Sequence, residues 1–350
     1  MLIHFLLLYG IFILTFIYRK KIDYNKRSNV LLIIIFLVLN LFIGMRQINI
    51  GTDTSTYVAL FLTKNYMFSN LEIIPQIISF VVGVCTNKYC VYLTILSAIS
   101  LYGIYRNAKE YKFDTEYFIF LYIASFCYLY STSAIRFFCA FSIVMLSFKY
   151  MINKDTKKVI LLVFLSTLFH TSSIIFLPLY FLTKFKFSSK NLMLFFNGLI
   201  IGTLLLNIIN VEILYSFDYF SKYAYVLENR NSLGGFSVLI NFGILFFALL
   251  YYKSVDEYKN EYEFFIKMQC VAIALDFIGI AYRIIWYFKF PIWFILPIVL
   301  KNLKSKNKKN DYRIIYCCFI VIYSLVYYYL IKNSLSTHNL LNYKFNQVFL

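Results

Sequence analysis

The chain reads as an all-α, polytopic transmembrane helix bundle. Three observations predict this. Of its 350 residues, 61% are hydrophobic and only 14% charged, against roughly 25% charged in water-soluble domains. Apolar runs near the ~20 residues needed to cross a bilayer recur from end to end. Within them the apolar residues are contiguous and do not alternate, which argues against a membrane β-barrel. No soluble domain fits between the runs, so residues 1–350 are expected to form one integral membrane domain with about 10–12 apolar segments.

In chain order the runs fall near 2–18, 29–45, 71–86, 90–105, 116–131, 133–151, 158–182, 191–209, 236–252, 263–282, 284–300 and 313–331. The first, Leu2 to Tyr18, lacks the basic start and small-residue cleavage site of a signal peptide. A basic cluster, Arg19 to Arg27, follows it. The positive-inside rule then places the amino terminus outside and that cluster in the cytoplasm. Simple crossings put loops 46–70 and 210–234 outside and the lysine-rich 301–312 inside. One loop disagrees: Lys149, Lys154, Lys157 and Lys158 would face outside. The charge bias is restored if 71–86 and part of 158–182 are re-entrant or interfacial. Both carry polar or helix-breaking residues, Glu72, Pro75 and Gln76 in one, His170, Ser172 and Pro178 in the other. Irregular backbone at membrane depth needs a protein-lined or water-lined cavity. This arrangement brings Arg136 to the outer side, with Arg46 and Arg283.

The formal charge of +18 sits in short loops and reads as cytoplasmic anchoring, with contact to anionic lipid head groups, not nucleic-acid binding. Seven cysteines show no metal or redox spacing, and three histidines are too scattered for a sequence-local zinc site. There is no Gly-rich phosphate loop, paired-carboxylate metal motif or serine-nucleophile elbow. That argues against nucleotide hydrolysis and acyl-enzyme chemistry.

The most informative segment is Arg46 to Tyr57. It opens on a cation, turns at Gly51, and sets Asp53 among Thr52, Thr54 and Ser55. Asp53 suits the N-cap of a short helix from Thr54, and also a sugar-hydroxyl ligand or a base. Arg136 stands in apolar surroundings, at ~2.5–3.5 kcal/mol if central in a helix. It either snorkels to the interface or clamps an anion, for which a planar guanidinium is well shaped. Arg283 lies between two apolar runs beside Trp286 and Tyr287, which also suit an interfacial belt. His170 is either a bonded structural imidazole or a proton acceptor. Asp276 is expected to pair with an arginine. Three arginines, an acid and a histidine together suggest a diphosphate held beside a reacting hydroxyl.

Four ordered blocks resemble the EpsG-type membrane proteins, which belong with the Wzy polysaccharide polymerases. They are Arg46 with Gly51-Thr52-Asp53 and Tyr57; Ile135-Arg136 leading to Lys149-Tyr150; Leu168-Phe169-His170-Thr171-Ser172; and Arg283 with Tyr287-Phe288, Pro291 and Pro297. Asn342-Tyr343-Lys344-Phe345 is similar to the family's closing aromatic motif. Phe137 departs from the family, which often has glutamine there. The resemblance implies a membrane glycosyltransferase at the outer face of the bacterial cytoplasmic membrane. It would join undecaprenyl-diphosphate-linked oligosaccharide units into a capsular, exopolysaccharide or O-antigen chain.

On that reading Arg136 and Arg283, with Arg46, hold the diphosphate, and Asp53 or His170 activates the acceptor hydroxyl. Gly51, Thr52 and Thr54 shape the substrate site, and Tyr57 and Tyr287 pack on sugar rings. No metal or cofactor enters the scheme. A chain-length regulator and a flippase are candidate protein partners. The alternatives are a flippase for lipid-linked oligosaccharide, and a lipid-linked-sugar glycosyltransferase or ligase with another acceptor.

Overall fold

The computed structural model describes residues 2–22, 28–64, 72–110, 115–184, 235–278, 285–334 and 343–345, with Leu340 and scattered positions between 186 and 201. The loop expected at 210–234, most of the run at 191–209, and Arg283 lie outside the described residues. What is described is almost wholly helical, as the apolar runs require. The chain forms two compact units, residues 1–180 with 303–350, and residues 181–302.

The first unit begins with α1 (Leu2–Ile22) and α2 (Ser28–Gly44). Ile33, Ile34, Leu37, Val38 and Leu41 of α2 are exposed, whereas Leu32, Ile35, Leu39 and Ile43 are buried. An exposed face this apolar is what a lipid-facing helix presents. A short α3 (Thr54–Leu62) and α4 (Ile73–Cys85) precede α5 (Tyr89–Glu110). α5 runs antiparallel to α2, with Ser97 donating to the Asn40 carbonyl at 3.1 Å and Phe36 edge-on to Tyr105.

The run expected at 116–131 is two helices, α6 (Thr115–Ala124) and α7 (Cys127–Tyr130). They are divided at Phe126, which has φ 69°. All residues of both helices are buried. The break is internally bonded, Ser125 N–H to Leu121 at 2.8 Å and Tyr130 N–H to Phe126 at 2.8 Å. That is the condition for irregular backbone inside an apolar bundle.

α8 (Ile135–Ile152) then runs alongside α5 in the same direction. Successive contacts mark the pair, from Cys139 with the Leu96 carbonyl to Asn107 with the Met145 carbonyl. Their approach is set at Gly103, where a Cβ would lie 2.2 Å from the Ser142 carbonyl oxygen. The Gly103 N–H instead donates to Ser142 Oγ at 2.6 Å. Small residues permit such contact between membrane helices.

α9 (Thr156–Thr167) returns along α8, and a 3₁₀ turn (Thr171–Ile175) leads into α10 (Phe176–Leu182). Near the tip His170 lies against Phe137 in the first turn of α8, with ring centroids 5.6 Å apart. At the base the Thr156 and Tyr180 hydroxyls are 2.8 Å apart. The segment 156–180 therefore leaves and re-enters the bundle at one end. α4 behaves similarly. Glu72, before it, bonds Arg136 at the start of α8, and Tyr89, after it, bonds the Ile48 backbone. Both of its ends stay near one end of the bundle.

α14 (Lys309–Ser334) closes the unit, its final turns meeting α1 where the Tyr327 hydroxyl reaches the His4 carbonyl at 3.3 Å. Among the described residues, α8 and α14 contain the two spans long and apolar enough to cross a bilayer, with mean hydropathies of 1.6 and 2.2. Several other expected runs are shorter apolar helices. Cations are unequally divided between the ends. Arg106, Lys109, Lys149, Lys154, Lys157, Lys158, Lys308, Lys309 and Arg313 lie at one end. The other has exposed Lys64, Lys88, Lys332 and Lys344.

The second unit contains α11 (Gly235–Tyr251), α12 (Lys259–Ile278), a 3₁₀ turn (Trp286–Phe288) and most of α13 (Pro291–Ser305). Phe265 and Phe294 stack at 4.0 Å between α12 and α13. Within the run expected at 284–300, a helical turn through Phe288 is followed by a break, and Pro291, a residue suited to a first helical position, opens α13. The arginine expected to pair with Asp276 is not identified among the described residues. Among these, Asp276 accepts from Ser237 at 3.1 Å and from Asn241, not from an arginine. Neutral amide and hydroxyl donors satisfy it locally.

Candidate functional site

The less basic end of the first unit carries the polar segment after α2. Gly51 has φ 86°, a conformation L side chains resist, and a Cβ there would lie 2.4 Å from the Thr132 carbonyl oxygen. The glycine lets 50–54 fold tightly onto the buried turn 131–134. The Thr52 N–H donates to Ser133 Oγ at 3.1 Å, and Thr54 Oγ1 donates to the Ile50 carbonyl at 2.6 Å.

Arg46 is the brace of this turn and is fully buried. Its Nε donates to Thr54 Oγ1 at 3.1 Å, one terminal nitrogen to the Ile43 carbonyl at 2.7 Å, and the other to the Thr132 carbonyl at 2.9 Å. One guanidinium thus joins the end of α2, the start of α3 and the turn before α8. Burial draws its pKa down to about 10, so it remains cationic at neutral pH. The carboxy-terminal motif covers the same place. Tyr343 stacks on Phe42 at 4.2 Å, and the Gln47 N–H donates to the Lys344 carbonyl at 3.2 Å.

Arg136 occupies the first turn of α8, with its side chain 19% exposed. It pairs with Glu72, and its Nε donates to the Tyr57 hydroxyl at 3.3 Å. The guanidinium also lies 5.2 Å from the Tyr57 ring centroid, within cation–π range. Tyr57 is 3% exposed. Its hydroxyl is directed to Asp53 Oδ2 at 3.5 Å, and burial raises its pKa, so it stays a donor. Asp53 accepts a second bond, from Thr52 Oγ1 at 3.1 Å. Asp53 occupies the N-cap position of α3, but its side chain makes no capping bond. Its oxygens are turned toward Thr52 and Tyr57 instead.

The result is one polar chain: Thr52, Asp53, Tyr57, Arg136, Glu72. His170 enters from the α9 tip, with Nδ1 2.6 Å from Ser172 Oγ. The Ile74 N–H donates to the Leu168 carbonyl at 3.1 Å, fixing α4 against that tip. Among the expected residues, Thr52 is exposed and Asp53, Arg136 and His170 are partly exposed; Arg46, Gly51, Thr54 and Tyr57 are buried. Tyr287 is fully buried within the second unit. Glu72 was read as the mark of a broken segment and given no part in the site. The signal was present, since a carboxylate beside an apolar run requires a cationic or hydrogen-bonding partner.

The fold and this cluster define a multi-helix membrane protein with a polar cluster of mixed charge at one end of its first unit. The family model described as "EpsG family" matches residues 29–345, and the chain belongs to the EpsG family. Membership associates it with polysaccharide biosynthesis and a polymerase-related function. Comparison with curated proteins and with solved structures returned no match.

Proposed function

We propose that the protein polymerises undecaprenyl-diphosphate-linked oligosaccharide units at the outer face of the bacterial cytoplasmic membrane. The observation that carries this reading is the partly exposed Arg136, linked through Tyr57 to Asp53 at the less basic end of the bundle. Under the positive-inside rule that end faces outward. The product would be a capsular, exopolysaccharide or O-antigen chain.

In the proposed step an acceptor hydroxyl oxygen attacks the anomeric carbon of the donor. The bond from that carbon to the diphosphate oxygen breaks, and the hydroxyl proton passes to Asp53 or His170. The lipid diphosphate leaves with the added negative charge, which Arg136 stabilises electrostatically. Tyr57 holds Arg136 in place, and Arg46 supports the turn from beneath. Arg283 is the second guanidinium assigned to the diphosphate.

Reconstitution with a purified lipid-linked repeat unit tests the reading. A ladder of products supports it. Movement of the unit between leaflets without elongation would establish transport instead, and a single transfer to another acceptor would establish a ligase.

A further inference from the structure

At the opposite, basic end, α5 and α8 border a cavity of about 250 Å³ that Leu162 of α9 also lines. Tyr102, Arg106 and Glu110 line it from α5, and Lys149 and Tyr150 from α8. The two helices are held together in its wall, where Asn107 bonds the Met145 carbonyl at 3.2 Å. The opening is therefore built into the core helix pair.

We propose that this cavity binds the phosphodiester head group of an anionic membrane lipid. Arg106 is exposed and makes no hydrogen bond or ion pair among the described residues. A planar guanidinium grips phosphate oxygens in pairs. Lys149 lies 3.1 Å from Glu110, and both side chains are about two-fifths exposed, 37% and 41%. The carboxylate is thus offset, leaving Arg106 as the uncompensated charge of the lining. Lys158, outside the lining, lies over the Tyr150 ring at 4.9 Å from its centroid and is itself paired with Asp155 at 2.9 Å. Leu162 and the outer face of α9, where Leu161 and Phe164 are exposed, offer an apolar wall for an acyl chain. Plain interfacial anchoring of an arginine requires no cavity; here the cation and the cavity coincide. Basic pockets between helices at the cytoplasmic side suit such head groups.

The test uses the full chain in phosphatidylcholine vesicles containing trace spin-labelled phosphatidylglycerol or phosphatidylcholine. Electron spin resonance reads the motionally restricted fraction of each. The expected preference for phosphatidylglycerol is about fivefold, falling to near unity in Arg106→Gln and partly retained in Arg106→Lys. Equal preference in the wild type and Arg106→Gln overturns the proposal. Circular dichroism confirms that each variant is folded. Millimolar inorganic phosphate, matched against chloride of equal ionic strength, is expected to leave the restricted fraction unchanged. Displacement by phosphate overturns the lipid assignment in favour of a free-phosphate site.

Discussion

Glu72 and Arg136 form an ion pair that joins the residue preceding α4 to the first turn of α8, with side chains 15% and 19% exposed. The guanidinium proposed to receive a diphosphate thus already has a counter-ion. Glu72 fixes the resting orientation of Arg136 and competes with any incoming anion.

Arg136→Ala is expected to abolish polymer while leaving single lipid-linked units intact. Arg136→Lys keeps the charge and loses the planar fork. It should lower the rate at least ~100-fold, as for loss of one electrostatic donor. Gel analysis of the glycan ladder at matched protein levels checks both, and Arg283→Ala is read in the same assay. Full-length polymer from both alanine variants would sink the clamp.

Glu72→Gln removes the competing carboxylate and retains a similar shape. Inorganic pyrophosphate should bind this variant about tenfold more tightly, a change of ~1.4 kcal/mol. Isothermal titration on detergent-solubilised protein measures it. Unchanged or weaker binding would show that Glu72 does not guard the guanidinium.

Arg46→Met should act on stability. It leaves the Ile43 and Thr132 carbonyls short of a buried donor, at about 2–4 kcal/mol. Thermal unfolding in detergent should show a clear fall in Tm, with a much smaller fall for Arg136→Ala. The reverse order would contradict the assignment of Arg46 as the brace.

Gly51→Ala meets two penalties, a left-handed backbone costing ~1–2 kcal/mol and the close Thr132 carbonyl. Both Tm and polymer yield should fall. Wild-type behaviour would mean that the turn is not held as described.

Orientation is open to chemical labelling. Cysteine placed at Lys88 should react with an impermeant maleimide from outside intact cells, and cysteine placed at Lys157 only after permeabilisation. Reaction of both from outside would remove the outward-facing site.

Much of the bundle is legible because apolar runs declare helices without reference to their partners. Gly51 and the hydroxyls around Asp53 likewise announce a turn. Glu72, Pro75 and Pro178 mark where the helices of the two irregular stretches start or break, as α4 beginning after Glu72 and the 3₁₀ turn before α10 show. Contacts across long separations are not. The Glu72–Arg136 pair spans 64 positions, and no local pattern selects that partner. The break at Phe126 is equally silent, since its positive φ falls on a bulky residue that sequence rules keep out of that region. Asp53 misleads for a subtler reason. Its position suits a cap, but the Tyr57 hydroxyl one turn later competes for the same oxygens.

The hydroxyl contact between Thr156 and Tyr180 bears on how this chain is made. A hairpin whose two feet meet contributes nothing to the parity of crossings, so a tally of greasy stretches misplaces whatever follows it. His170 sits at the tip of that hairpin against Phe137 of α8, so its position depends on how the two segments pack.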